Sequence, residues 1–202
     1  MLNFPDTEKK LRARISSYKS SLKREIKEYG SISDGAGKRY LLFWLYFALG
    51  DLAKFEEYIA WYFEQFPDDV GEPAQKLCWA LGLRRMGKLQ EAEYALAELM
   101  LYNLYLVPQI LGNEVREYDI WYSSNYEHID YFNYIPVELI DCVSPDDIEW
   151  LSTLYDLFVF RRMRKRHIEI CTKLKGASNV KERVALLDED RNIISYLNDA
   201  RS

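Results

Sequence analysis

Histidine, cysteine and glycine are all scarce in this chain: two, three and nine residues respectively among 202. The shortage of glycine goes with missing signatures. No GxGxxG, no phosphate-binding P-loop, no HExxH and no GxSxG is present, which removes the motifs of dinucleotide binding, nucleotide hydrolysis, zinc hydrolysis and elbow serines. Cys78, Cys142 and Cys171 are far apart, odd in number and form no CxxC pair, so neither a disulfide framework nor a zinc site is expected. They read as buried thiols of a reducing compartment. The longest apolar run, YLLFWLYFAL at 40–49, is about half of what a bilayer-spanning helix requires. The opening MLNFPDTEKK lacks the apolar core and cleavage site of a signal peptide, and the expectation is a soluble cytoplasmic protein with no membrane partner.

The two histidines offer little acid–base chemistry. His128 lies in EHID, where Glu127 and Asp130 would point different ways on a helix. His167-Ile168-Glu169 matches the HxE fragment of zinc deaminases, but no PCxxC follows to complete a metal shell. The residues therefore predict no catalytic group, no metal site, no cofactor and a non-enzymatic role. With 27 Lys and Arg against 32 Asp and Glu, the formal charge is −5, which disfavours a dedicated nucleic-acid binder and suits a basic partner.

What the chain has is helical periodicity. Leu11, Ile15, Tyr18, Leu22, Ile26 and Tyr29 fall at steps of three and four and form one apolar stripe over roughly 7–30, with Asp6 or Thr7 to start the helix and Gly30 to stop it. The other face carries Lys9, Lys10, Arg12, Arg14, Lys19, Lys23, Arg24 and Lys27, which reads as a solvated basic face. Residues 38–49 are apolar nearly all round, as in a helix covered on both sides. Gly50-Asp51 makes a tight turn into a helix with Leu52, Phe55, Ile59, Tyr62 and Phe66 inward, closed by Pro67. A second unit follows: a helix at 73–85 with Pro73 in its first turn burying Ala74, Leu77, Cys78 and Leu81, then Gly87-Lys88, then 88–102 with Leu89, Ala92, Leu96 and Leu99 inward.

The run LGDLAKFEEYIAWYFEQFP at 49–67 resembles the second half of a tetratricopeptide repeat, and MGKLQEAEYALAELM at 86–100 is similar, with Ala92 at the small-residue position. The resemblance covers 38–103 and implies stacked antiparallel hairpins whose concave face grips other polypeptides. Phe43 and Phe55 stand where that family has small residues, which implies a looser hairpin or a different packing angle; a generic helical bundle is the other architecture that fits.

Beyond residue 104 the pattern changes. VPQILGN at 107–113 supplies a short helix from near Pro108, Ser144-Pro145-Asp146-Asp147 launches one through Phe158 and with a kink to Lys175, and Asn179 with Glu182 opens a last helix with Val180, Val184, Leu187, Ile194 and Leu197 on one side. Between them, EVREYDIWYSSNYEHIDYFNYIP is expected to hold one or two short helices joined near Ser123-Ser124-Asn125. The expected architecture is thus all-α in a single domain over 1–202: a capping helix at 7–30, two hairpins at 38–103 and a C-terminal helical lobe at 104–202.

Function is sought in that aromatic segment. Ten acids lie between Gly112 and Trp150 against one base, Arg116, interleaved with Tyr and Trp. Rigid aromatics supply desolvated anchors and carboxylates steer a basic protein, so Tyr118, Asp119, Trp121, Tyr122, Tyr126, Glu127, Asp130, Tyr131 and Tyr134 are the candidate contacts. The alternative is that these aromatics are the core of the lobe and the acids merely solvate it. The basic run Arg161-Arg162-Met163-Arg164-Lys165-Arg166 is expected to be neutralised within the fold or in a homodimer, with the acidic stretch as its counterpart. The sharpest functional expectation is a small acidic immunity or antidote protein that blocks a basic toxic effector. The alternatives are a chaperone or adaptor for a secretion or assembly machine, and an RNA-binding regulator acting through the basic faces.

Overall fold

A computed structural model describes residues 4–199, and among these there are helices and turns but no strand. In chain order the α-helices are α1 (Glu8–Tyr29), α2 (Lys38–Leu49), α3 (Leu52–Gln65), α4 (Pro73–Arg85), α5 (Leu89–Tyr102), α6 (Leu106–Ile110), α7 (Val137–Ile140), α8 (Pro145–Asp156), α9 (Phe158–Gly176), α10 (Val180–Asn192) and α11 (Tyr196–Asp199). Short 3₁₀ turns lie at Asn125–Glu127, Ile129–Tyr134 and Ile193–Ser195. The chain divides into two compact units. The first runs up to Ala92 and includes Ile135–Cys142; the second is Glu93–Tyr134 with the chain from Val143 onward.

The helix ends follow from local chemistry. Thr7 accepts from the Lys10 amide at the start of α1, and Gly30 ends it at φ 72°, a conformation that costs glycine nothing. Gly50 (φ 71°) and Gly87 (φ 77°) close α2 and the α4 turn in the same left-handed conformation, and the Asp51 side chain caps α3. Ser144 and Asp147 form a reciprocal capping box at α8. The expected kink is a break at Leu157, which is extended (φ −61°, ψ 136°) between α8 and α9. The short helix α6 begins two residues before Pro108.

In the first unit α2 touches α1, α3 and α4, which explains why Leu42 through Phe47 are all buried. Phe55 of α3 is fully buried and meets Phe43 edge-on, with ring centroids 5.7 Å apart. The bulky ring, expected to loosen the hairpin or change its packing angle, is accommodated inside it. Space for the ring comes from α4: a Cβ added at Gly82 would lie 2.4 Å from Phe55 Cε1. Phe43 also packs edge-on against Tyr58 and Tyr62, at 5.3 and 4.9 Å.

The start of α2 is held by polar groups. Gly37 offers no side chain, so buried Asp34, at φ 40°, reaches forward to accept from the amides of Lys38 and Arg39, each at 2.8 Å. The Arg39 guanidinium bridges Asp34 and Asp69, and the Tyr40 hydroxyl donates to Asp69 at 2.6 Å. Burial tends to raise the Asp69 pKa, but the bonds from Tyr40, Arg39 and the Gly71 amide outweigh it and hold the carboxyl below its usual value.

Several side-chain placements differ from the periodicity, among them Tyr29, the last residue of the α1 stripe, which is 75 % exposed at the helix end. Leu89 is exposed because it sits in the first turn of α5, before the packed stripe begins at Ala92. On α10, Val180 and Val184 are exposed and Leu187 is half-buried; the expected single helix breaks into the 3₁₀ turn Ile193–Ser195, where Ile194 is half-buried, and α11, where Leu197 is buried. The packed face is instead Arg183, Leu186, Asp190, Ile193 and Leu197, at steps of three and four. Arg183 donates to the Leu174 and Ala177 carbonyls and Asp190 bonds His167, so polar partners on α9 set the helix phase that hydrophobicity alone misassigned.

Gly82→Ala is expected to destabilise the chain by about 1–3 kcal/mol in urea unfolding, and Phe55→Leu added to it to recover part of that loss. Full additivity of the two costs would show that the ring and the glycine do not share the space. For Asp69, whose folded-state pKa is depressed, the stability it contributes is present above the ordinary carboxylate pKa and lost as pH falls through the lower folded value. Asp69→Asn is therefore expected to lower stability at neutral pH and flatten the acid limb of a melting-temperature profile; an unchanged limb would refute the assignment.

Candidate partner-binding surface

Residues 113–124 form no helix, yet their backbone is not left to solvent alone. Buried Asn103, just past α5, accepts from the amides of Tyr105 (2.9 Å) and Leu106 (2.7 Å), which caps α6, and its Nδ2 donates to the carbonyls of Tyr126 (2.6 Å) and His128 (3.3 Å). Gln109 Nε2 donates to the Ile129 carbonyl at 3.1 Å. The Tyr105 hydroxyl accepts from the Tyr118 amide at 2.8 Å and bonds the Tyr122 hydroxyl at 2.6 Å, which also meets the Tyr118 carbonyl. The Trp121 amide donates to the Cys171 carbonyl of α9 at 3.1 Å. An apolar cluster of Leu104, Tyr105, Ile120 and Cys171 underlies these bonds. Side chains thus do for this segment what ladder bonds do for regular structure.

The candidate contacts separate by exposure. Tyr118 (45 %), Tyr126 (40 %) and Tyr134 (77 %) face solvent, beside exposed Asp119 and Asp130. Tyr131, by contrast, is buried at 6 % and packs edge-on against Tyr126, so it supports the surface from beneath. Trp121 and Tyr122 are half-buried: Arg183 lies over the Trp121 ring at 5.5 Å, and Tyr122 stacks near His128 at 4.4 Å. Burial and the neighbouring Tyr105 hydroxyl push the Tyr122 phenol up out of the physiological range. Glu127 turns inward to the Ser123 amide at 2.9 Å. Asp119 pairs with Lys175 and Glu114 with Arg116 at exposed positions, where an ion pair is worth about 1 kcal/mol or less, and Glu117 is hydrogen-bonded to His128 Nδ1 at 3.1 Å.

The fold takes up only part of the basic run, and Arg162 is itself exposed. Arg164 is buried with its guanidinium 3.7 Å from the Tyr155 ring, Arg166 pairs with Glu189 of α10 and Glu169 of its own helix, and Arg162 lies over Tyr196. Arg161 and Lys165 remain exposed. In the first unit, Arg12, Lys19, Lys23 and Lys54 line an open groove of about 420 Å³ against a floor that includes Tyr46, with Glu57 as its acid.

One cluster was not foreseen. His167 and Cys171 are one turn apart on α9, and Asp190 of α10 places Oδ1 2.7 Å from His167 Nδ1. Cys171 Sγ lies 3.6 Å from Nε2 and 3.9 Å from Nδ1. Burial disfavours the charged imidazole, but the Asp190 carboxylate more than offsets it and the pKa is raised to about 10. The HxE reading of this stretch looked to Glu169, which points to Arg166 instead; the informative spacing is HxxxC. The three polar atoms converge within 4.8 Å, the single group of this kind among the described residues.

No protein-family model, curated protein or solved structure matches the chain. The structure defines an all-helical protein in which no described helix is long and apolar enough to cross a membrane. Asn103→Ala leaves the Tyr126 and His128 carbonyls and the Tyr105 and Leu106 amides without this partner, and is expected to cost about 3 kcal/mol. It should also speed amide exchange at Tyr105 and Leu106 and expose 113–128 to protease before global unfolding. A variant as resistant as the parent would show that Asn103 does not hold the segment.

Proposed function

We propose that this chain is a non-enzymatic binding protein that holds a basic protein partner on the surface built from residues 113–134. The observation that carries the reading is the combination of a polar-pinned, irregular segment with three solvent-facing tyrosines, Tyr118, Tyr126 and Tyr134, set among the carboxylates of Asp119 and Asp130. Tyrosine brings large contact area with few rotatable bonds, and a segment already ordered before binding loses less entropy on association. Acids at the rim speed encounter with a cationic partner and reject anionic ones. The sharper form is an immunity or antidote protein that neutralises one cognate toxic effector; the resemblance of 38–103 to tetratricopeptide hairpins points the same way, toward polypeptide recognition.

Co-purification from the native cell tests it. A stoichiometric basic protein is expected, dissociating as salt rises and lost from a Tyr118→Ala, Tyr126→Ala, Tyr134→Ala variant whose helix content and melting temperature match the parent. A complex indifferent to those three changes would remove the surface from consideration. The antidote form adds a growth test: the partner expressed alone should arrest cells and co-expression should rescue them, and a harmless partner would leave binding standing without the antidote role.

A further inference from the structure

We propose that His167, Cys171 and Asp190 form a binding site for a borderline-soft divalent cation of the zinc class, between α9 and α10. A thiol, an imidazole and a carboxylate together match the preferences of Zn²⁺ and Co²⁺ and suit neither Mg²⁺ nor Ca²⁺, which take oxygen ligands. Three such groups meeting by chance in an interior with few histidines and cysteines is uncommon, and here all three side chains are at least partly withdrawn from water, with Cys171 buried and the His167 and Asp190 side chains 13 % and 26 % exposed.

Geometry is the second argument. Around a tetrahedral zinc, a sulfur and a nitrogen ligand sit about 3.5 Å apart and a nitrogen and an oxygen ligand about 3.3 Å apart. Cys171 Sγ lies 3.9 Å from His167 Nδ1, and Asp190 Oδ1 lies 2.7 Å from the same nitrogen. The first edge needs to close by about 0.4 Å and the second to open by about 0.6 Å, and the sulfur–carboxylate edge, now within 4.8 Å, has to reach about 3.5 Å, adjustments that fall to side-chain rotation. Two ligands come from one turn of α9, whose i,i+4 spacing puts them side by side, and the third from α10, whose phase is already fixed by the Arg183 bonds to α9.

On binding, bonds form from the metal to Sγ, Nδ1 and a carboxylate oxygen, while the thiol proton and the Nδ1 proton leave to solvent. The imidazole–carboxylate hydrogen bond breaks as the metal takes its place. Three protein ligands leave one tetrahedral position for water, the composition of an open rather than a closed site. The partially exposed Asp190 provides the entry side. The site needs no partner on the tyrosine surface, although Cys171 also belongs to the apolar cluster beneath that segment.

The experiment is equilibrium dialysis of the chelator-treated full chain against Zn²⁺, with Co²⁺ absorption as the spectroscopic probe. One Zn²⁺ per chain is expected, with a thiolate-to-cobalt charge-transfer band, and Cys171→Ser, which keeps the size of the side chain and removes the soft donor, is expected to weaken binding about 100-fold and abolish the band. Asp190→Asn should weaken binding at least 10-fold, whereas Cys142→Ser should leave both readouts unchanged. Circular dichroism melts confirm that each variant is folded. Failure of the parent chain to retain Zn²⁺ stoichiometrically, a d–d spectrum without sulfur ligation, or equal affinity in Cys171→Ser would overturn the site.

Discussion

Phe55 occupies the space that Gly82 leaves empty, and the first unit depends on that fit. An apolar helix such as α2 has to be covered on all sides, and α1, α3 and α4 supply the cover. The ring of Phe55 reaches Phe43 at the centre of α2 only if α4 passes close by, and α4 passes close only where it has no side chain. Overpacking and cavity costs are both steep in a close-packed interior, so a large residue facing an absent one specifies the approach of two helices more sharply than a row of leucines would. The edge-on contacts of Phe43 with Tyr58 and Tyr62 then follow from where Phe55 has placed α3.

The second unit is organised on a different principle. Its defining stretch is irregular, and irregular backbone near a core needs a partner for each buried amide and carbonyl. Asn103 serves four backbone groups at once, Tyr105 orders Tyr118 and Tyr122 through one hydroxyl, and α9 lends the Cys171 carbonyl to Trp121. Dispersion and the hydrophobic effect have no direction, so they could not hold this segment in one shape; the hydrogen bonds from Asn103 and Tyr105 in the α5–α6 turn, from α6 and from α9 give it one.

Legibility in the sequence tracks the range of the forces involved. Thr7, Gly30, Gly50, Asp51, Pro73, Gly87 and Ser144 act within a few residues of themselves, and each helix end they announce is where they place it. The α10 face failed because periodicity counts only apolar residues, while Arg183 and Asp190 are drawn inward by polar partners on another helix. Asn103 carried no signal at all, since a lone asparagine past a helix reads as a stop and its acceptors lie more than twenty residues away. Of the candidate contacts, Tyr131 and Tyr134 were indistinguishable by composition; which one is buried depends on the register of a 3₁₀ turn. The pairing of His167 with Cys171 was legible as an i,i+4 step, but Asp190 joins them only once α10 has its unexpected phase.

The rigidity of the 113–134 segment bears on the kind of partner it suits. A protein serving many clients needs a surface that can repack, and such surfaces favour methionine and mobile loops. Here the exposed tyrosines project from backbone tied down at Tyr118, Trp121, Tyr126, His128 and Ile129, with an ordered aromatic, Tyr131, beneath Tyr126. Order of that kind carries a folding cost that is met before any association, which would leave more of the contact energy for binding. If the segment is a binding surface as proposed, its fixed shape suits one charge-complementary partner better than many dissimilar clients.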